Sequence, residues 1–257
     1  MNSLKELYAY REMIFSLVRK DLRTRYKGSV LGFLWTFVNP LLQLVVYTLV
    51  FSTIMRVNVD KFYIYLFVAL VPWIFFTSSI QGGATSILSG ADLIKKIYFP
   101  RLVLPIAVTS AAFMNMVFSM IIVFIALVIS GIGLSWHIVY LPVIMVLEYF
   151  FALGMAFIFS ALNVYFRDLE HILGIVTMAW FYGTPIVYTI DMVPKQYLGF
   201  FYLNPMTHMI DAYRDILYYH QVPDFSTLSS IVAFSIIFVV IGYVLFQKLQ
   251  RHFVEEL

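Results

Sequence analysis

The chain has 257 residues, of which 62% are hydrophobic and 12% charged, with a formal net charge of +3. A soluble domain carries about twice that charged fraction, so much of the apolar surface is expected to face lipid. The sequence contains no cysteine, which excludes disulfides, zinc–thiolate sites and thiol catalysis, and the small net charge carries no nucleic-acid signature.

The first 20 residues are charged and lack an apolar run before a small-residue cleavage site. They are expected not to form a secretory signal peptide, leaving the first membrane helix to direct insertion. Ser3 and Glu6 have capping-box spacing. Leu4, Leu7, Tyr8, Phe15, Val18 and Leu22 then recur at helical spacing, with Lys5, Glu6, Glu12, Arg19 and Lys20 largely opposite. This predicts an amphipathic helix lying in the membrane surface within a cytoplasmic segment, residues 1–27. The segment ends in RTRYKGSVLGFLW, residues 23–35, where Arg23, Arg25 and Lys27 abut an uncharged run from Gly28 to Met55.

A bilayer span needs about 20 apolar residues. Six segments qualify: 33–55, 62–81, 102–130, 138–163, 172–190 and 226–246. Gly131, Gly133 and Ser135 mark the turn that ends the third. The predicted fold is an all-α integral membrane protein with six transmembrane helices in one domain, residues 1–257. Between the second and third spans, SGADLIKKIYFPRLVLP (residues 89–105) predicts a cytoplasmic helix over 92–99. Asp92 leads it and Lys95 and Lys96 follow, the order that suits the helix dipole, and Pro100 ends it. Leu93, Ile94, Ile97 and Tyr98 are expected to be exposed, either at the membrane interface or as a peg for a soluble partner. Residues 191–225 are too polar to span and rich in aromatics around Asn204 and Pro205. They are expected to form short extracytoplasmic re-entrant helices.

Lysine and arginine in the loops set orientation. The side bearing both termini receives thirteen of them and the other side four, Arg56, Lys61, Lys195 and Arg214. Both termini are therefore expected in the cytoplasm. Glu148 is the one charge within a predicted span. Such a residue is costly in lipid, and it reads either as a cavity-facing functional group or as a hydrogen-bonded group at a helix contact. Ala152, Ala156 and Ser160 repeat every four residues, a spacing that permits close helix contact, as do Gly28 and Gly32. There is no G-x-x-x-x-G-K-[ST], H-E-x-x-H or G-x-S-x-G, and the five histidines lack metal-ligand spacing. The chain is expected to hold no metal, no cofactor and no catalytic residue.

Five blocks carry a resemblance. RTRYKGSVLGFLWTFVNPLLQLVVYTLVFS, IKKIYFPRLVLP, NVYFRDLEHIL, TPIVY and LNPMTHMIDAYRDILY occur in this order over nearly the whole chain. Together they resemble the transmembrane permeases of type-2 ABC exporters that move cell-surface polysaccharides, O-antigen exporters foremost and teichoic acid exporters close behind. The resemblance implies a homodimer of this chain with two copies of a P-loop ATPase subunit, which binds the ATP and magnesium, in a bacterial inner membrane. The cargo it implies is a lipid-linked polysaccharide. Asp92, Leu93, Ile94, Lys95, Lys96, Ile97 and Tyr98 then correspond to an ATPase-coupling helix. The N-terminal helix corresponds to a gate near which Arg23, Arg25 and Lys27 meet an anionic lipid headgroup, and residues 192–220 to outer re-entrant helices. Trp35, Tyr47, Trp180, Tyr182 and Tyr188 are the implied conduit lining. The alternatives are a small-molecule ABC permease, an ion-gradient-driven flippase in which Glu148 titrates, and a membrane glycosyltransferase built around Asp168, Glu170 and His171.

Overall fold

The structure is a computed structural model that describes residues 2–24, 28 and 30–256. Among them every regular element is helical. Two short helices open the chain, α1 (Asn2–Ala9) and α2 (Arg11–Thr24), where one continuous helix was expected. A tight turn then leads into α3 (Trp35–Thr48), which widens into a π-helical turn over Leu49–Ile54. The remaining elements are α4 (Phe62–Ser89), α5 (Ala91–Lys96), α6 (Val103–Ile129), α7 (Leu141–Tyr165) and α8 (Leu169–Tyr182), followed by α9 (Leu198–Tyr202), α10 (Pro205–Leu217), α11 (Phe225–Leu249) and α12 (Phe253–Glu256).

Five of these stretches are long and apolar enough to cross a membrane: 32–54, 62–96, 103–129, 136–165 and 225–252. The expected fifth span differs. Helix α8 has 14 residues, which rise about 21 Å against a hydrocarbon core of about 30 Å. It stops before Thr184-Pro185 because the residue preceding a proline is driven out of the helical region.

Helix α4 is the axis of the bundle: 78% of its most apolar window is buried, against 6% for the stretch containing α3. Its aromatic residues fill the centre, where Phe76 stacks on Phe151 of α7 at 5.3 Å and meets Trp180 of α8 edge-on at 5.0 Å. Apolar burial drives folding only weakly in lipid, so close packing of small residues has to hold the helices together. Ala152, Ala156 and Ser160 are all buried, as their spacing foretold. A Cβ on Gly83 of α4 would lie 2.6 Å from that of Ala156. The tightest crossing joins α7 to α11, where a Cβ on Gly242 would lie 2.2 Å from the carbonyl oxygen of Gly154.

Pro40 sits inside α3 and cannot donate to the carbonyl of Thr36. Ser119 Oγ of α6 donates to that oxygen at 3.3 Å instead. A break that would be costly in lipid is thus closed by the neighbouring helix.

Candidate functional site

The two ends of the bundle carry different chemistry. At one end a second apolar cluster gathers Leu102, Val103, Phe157, Phe246 and Phe253, with Leu7, Tyr10, Met13, Ile14 and Leu17 of the N-terminal helices packed against it. The inward face of α2 is therefore Met13, Ile14 and Leu17, whereas sequence spacing selected Phe15, Val18 and Leu22. Those three also have a place: they line a lateral cavity of about 1510 Å³ between α2, α6 and α7. Helix α2 is apolar on two sides, one against protein and one against open space.

The far wall of this cavity is aromatic. Phe113 and Tyr149 meet at 5.3 Å, Tyr149 and Phe150 at 5.6 Å, and Ser110 Oγ and Tyr149 OH share a hydrogen bond of 2.9 Å. Arg19, Lys20 and Arg23 supply the cationic edge. Of the three cations read as a headgroup site, Arg23 is exposed on this edge, while Arg25 and Lys27 lie outside the described residues. Arg19 and Lys20, on the charged side of the expected amphipathic helix, join Arg23; their spacing to it, about one helical turn, is the signal the sequence offers. The arrangement suits an amphiphile with an apolar tail and an anionic head.

Helix α5 occupies the same end, but it ends at Lys96 rather than Phe99, because Ile97 is extended (φ −136°, ψ 148°). The structure divides the expected exposed set. Leu93 and Ile94 are half-buried against the chain's own apolar cluster. Ile97 is 50% and Tyr98 85% exposed, and Asp92, Lys95 and Lys96 are exposed beside them. Tyr10 Oη donates to the Tyr98 carbonyl at 3.3 Å, so this segment touches the N-terminal helices directly.

At the opposite end, α10 packs on α11, α4, α7 and the turn at 136–140. Here two quoted sequence blocks meet. The irregular backbone after α8 exposes carbonyls, and α10 satisfies them. Arg214 Nη1 donates to the Pro185 carbonyl at 2.5 Å and Nη2 to the Ile186 carbonyl at 2.7 Å, with the guanidinium 3.6 Å from the centre of the Tyr65 ring. Asn204 Nδ2 donates to the Gly183 carbonyl at 3.1 Å, and its Oδ1 accepts from Trp180 Nε1 at 2.8 Å and from the Met206 amide at 3.0 Å as the N-cap of α10. Burial holds Asp211, on the same helix, up at about 6, although Arg214 opposes the shift.

Glu148 is fully buried at the contact of α7 with α10, and its Oε2 accepts from Tyr213 Oη at 2.6 Å. Its other oxygen, Oε1, is buried without a hydrogen-bond partner among the described residues. The expected conduit aromatics are not one surface. Tyr47 stacks on Phe181 at 5.1 Å, Phe181 meets Tyr182 at 5.3 Å, and Tyr188 Oη donates to the Tyr182 carbonyl at 2.6 Å. Trp180 is turned onto Phe76 and Asn204, and Trp35 lines a separate small pocket beside Asn39 and Asn115. Glu170 and His171 are close, 3.6 Å apart, on exposed positions of α8.

Comparison with known proteins is consistent over the whole chain. The model of the family described as "ABC-2 type transporter" matches residues 12–218. The O-antigen export system permease protein RfbA of Myxococcus xanthus is 37% identical over 256 residues, covering 99% of this chain and 98% of the relative. A protein of the same description from Klebsiella pneumoniae is 34% identical over 248 residues, covering 96% and 95%. The polysialic acid transport protein KpsM of Escherichia coli is 21% identical over 237 residues, covering 90% and 91%.

Proposed function

Because this chain belongs to the ABC-2 type transporter family, we propose that it is the membrane subunit of an ATP-driven exporter of a lipid-linked, O-antigen-like polysaccharide. The observation that carries this reading is the lateral cavity: an aromatic wall of Phe113, Tyr149 and Phe150 facing the cationic edge of α2. A polyprenyl-like tail fits the wall, and an anionic pyrophosphate head fits Arg19, Lys20 and Arg23. The relatives named as O-antigen and polysialic acid transporters support the same cargo class.

The remaining parts follow from this premise. Two copies of the chain pair with two copies of an ATPase subunit, which binds ATP and magnesium. Helix α5 and the Ile97–Tyr98 extension dock into that subunit, and the Tyr10–Tyr98 contact passes its movement to α1 and α2, the gate. Helix α8 with the turns and bends that lead to Tyr188 makes the fifth of six crossings, helices α9 and α10 cap the outer end, and Tyr47, Tyr182 and Tyr188 line the conduit. Both termini lie in the cytoplasm, as the loop cations favour.

The test reverses charge at Arg19, Lys20 and Arg23 to Glu in the assembled transporter. Each cation near an anionic surface contributes about 1 kcal/mol, so losing three costs about 3 kcal/mol, on the order of a hundredfold in occupancy, and the added repulsion of three carboxylates deepens the loss. Export should fall at least tenfold, with insertion and ATPase binding retained. Export at the unmodified rate would remove the cavity from the route.

A further inference from the structure

The cavity at the α10 end reverses the character of the lateral one. About 510 Å³ opens between α10, the start of α11 and the chain at Thr189–Asp191, a volume within the range of small-ligand clefts. Asp191, Asp211, Asp215 and Asp224 line it, with the rings of Tyr202 and Tyr219 beside them. Asp215 Oδ1 accepts from Gln221 Nε2 at 2.6 Å, and His208 Nε2 bonds the Tyr202 carbonyl at 2.8 Å. Arg214 also lines the cavity and is 2% exposed. Its two Nη groups serve the Pro185 and Ile186 carbonyls, but its buried Nε–H has no acceptor.

These groups define a ligand by complementarity. Ionised carboxylates only accept hydrogen bonds, and a guanidinium N–H only donates. A hydroxyl both donates and accepts, so it satisfies both at once. Four carboxylates against one buried guanidinium repel phosphates and carboxylates, which excludes the anionic lipid head that suits the other end. Among the described residues no three acidic or imidazole side chains stand close enough to ligate a metal ion, and Arg214 opposes a dication. Tyrosine rings offer an apolar body with a polar tip, which matches the CH face and hydroxyl rim of a sugar ring.

We propose that this outer cavity is a saccharide-binding subsite that takes neutral pyranose units of the exported polymer through their hydroxyl groups. The inference rests on the polysaccharide-export reading and deepens it, placing sugar recognition at the end opposite the lipid-head cations.

The experiment uses the permease assembled with its ATPase in nanodiscs, supplied with ATP and the source organism's own lipid-linked polysaccharide. Photoreactive p-benzoylphenylalanine replaces Thr227, which lines the outer cavity, or Phe113, which lines the lateral one. During export the Thr227 probe should yield a high-mass adduct destroyed by periodate. The double variant D191N/D224N, at exposed positions that leave packing intact, should lower that yield at least fivefold, and D211N/D215N at least tenfold. Both should leave the Phe113 adduct unchanged. A Phe113 adduct without a Thr227 adduct, or a Thr227 yield indifferent to all four aspartates, overturns the subsite alone. Stoichiometric binding of radioactive calcium that abolishes the Thr227 adduct overturns it in favour of a cation site. Absence of both adducts overturns the export reading and the subsite with it.

Discussion

Replacing Arg214 by Leu tests whether the outer end of the bundle is held by one side chain. Arg214 gives hydrogen bonds of 2.5 and 2.7 Å to the carbonyls of Pro185 and Ile186, in a stretch with no helical partners. A buried carbonyl that loses its donor costs about 1–3 kcal/mol, so two cost about 2–6 kcal/mol. The contact of the guanidinium with the Tyr65 ring adds about 1–2 kcal/mol for a desolvated pair. Removing a buried charge offsets part of this, leaving a net loss on the order of 3 kcal/mol. R214K is the informative companion, because an ammonium is a point charge and cannot span two carbonyls as a planar fork does. Hydrogen exchange of the assembled transporter in nanodiscs, read over residues 183–217, measures the loss locally. Both variants should speed exchange there by at least tenfold, with α4 and α6 unchanged. Protection in R214L equal to that of the unmodified protein would refute the staple.

The other predictions address separate contacts. G242V should lower the thermal unfolding midpoint sharply, since the new side chain meets the Gly154 carbonyl at a helix crossing and overpacking costs about 1–3 kcal/mol or more; an unchanged midpoint would show that the crossing can open. S119A should cost about 1 kcal/mol by removing the hydrogen bond that Ser119 Oγ donates to the Thr36 carbonyl, seen as a smaller shift in the same assay. Just beyond α5, I97A/Y98A should uncouple ATP hydrolysis from export without destabilising the chain, whereas L93A/I94A within α5 should lower the unfolding midpoint; the reverse pattern would sink the division of that segment. Asp211 predicts a pH dependence with a definite sign. Burial raises its carboxyl to about 6, above the ordinary 3.8, so its ionisation costs stability, a cost absent below about pH 4 and fully present above about pH 6. Arg214, Asp215 and His208 on its own helix, Tyr65 on α4, and Asp191 and Asp224 from the flanking chain face the same cavity. Protection of α10 should fall as pH rises from 4 to 6, and D211N should flatten that slope; a slope unaffected by the substitution would assign it to another group.

What the sequence made legible followed from long, uniform signals. Uninterrupted apolar runs located α3, α4, α6, α7 and α11 to within a few residues at most ends, and the small-residue repeat at Ala152, Ala156 and Ser160 correctly marked a buried face. What it hid depended on which surface a side chain meets. Leu93 and Ile94 look like a docking peg because hydropathy cannot distinguish a partner's surface from the chain's own. Met13, Ile14 and Leu17 were passed over on α2 because an apolar residue on a two-faced helix has no single moment to align with. The helix of the fifth expected span is shorter than the apolar run for a local reason that is readable: Thr184-Pro185 ends a helix whatever the hydropathy around it. Gly154 and Gly242 carried no signal at all, since each gains its meaning from the other across 88 residues of chain.

The short α8 and the buried Arg214 explain each other. A membrane protein tolerates irregular backbone only where protein or water satisfies it, and a buried cation is tolerated only with partners that outweigh its desolvation. The Pro185 break creates two unpaired carbonyls, and Arg214 supplies two N–H groups in a plane, so each is the other's reason to persist. Replacing Pro185 by Ala, which permits α8 to extend, therefore should not rescue R214L unless the added helical turn also takes up the Ile186 carbonyl. If P185A/R214L recovers full protection over residues 183–217, the carbonyls and not the charge set the requirement. If it stays as labile as R214L alone, the cation's contact with Tyr65 and the aspartates carries the staple.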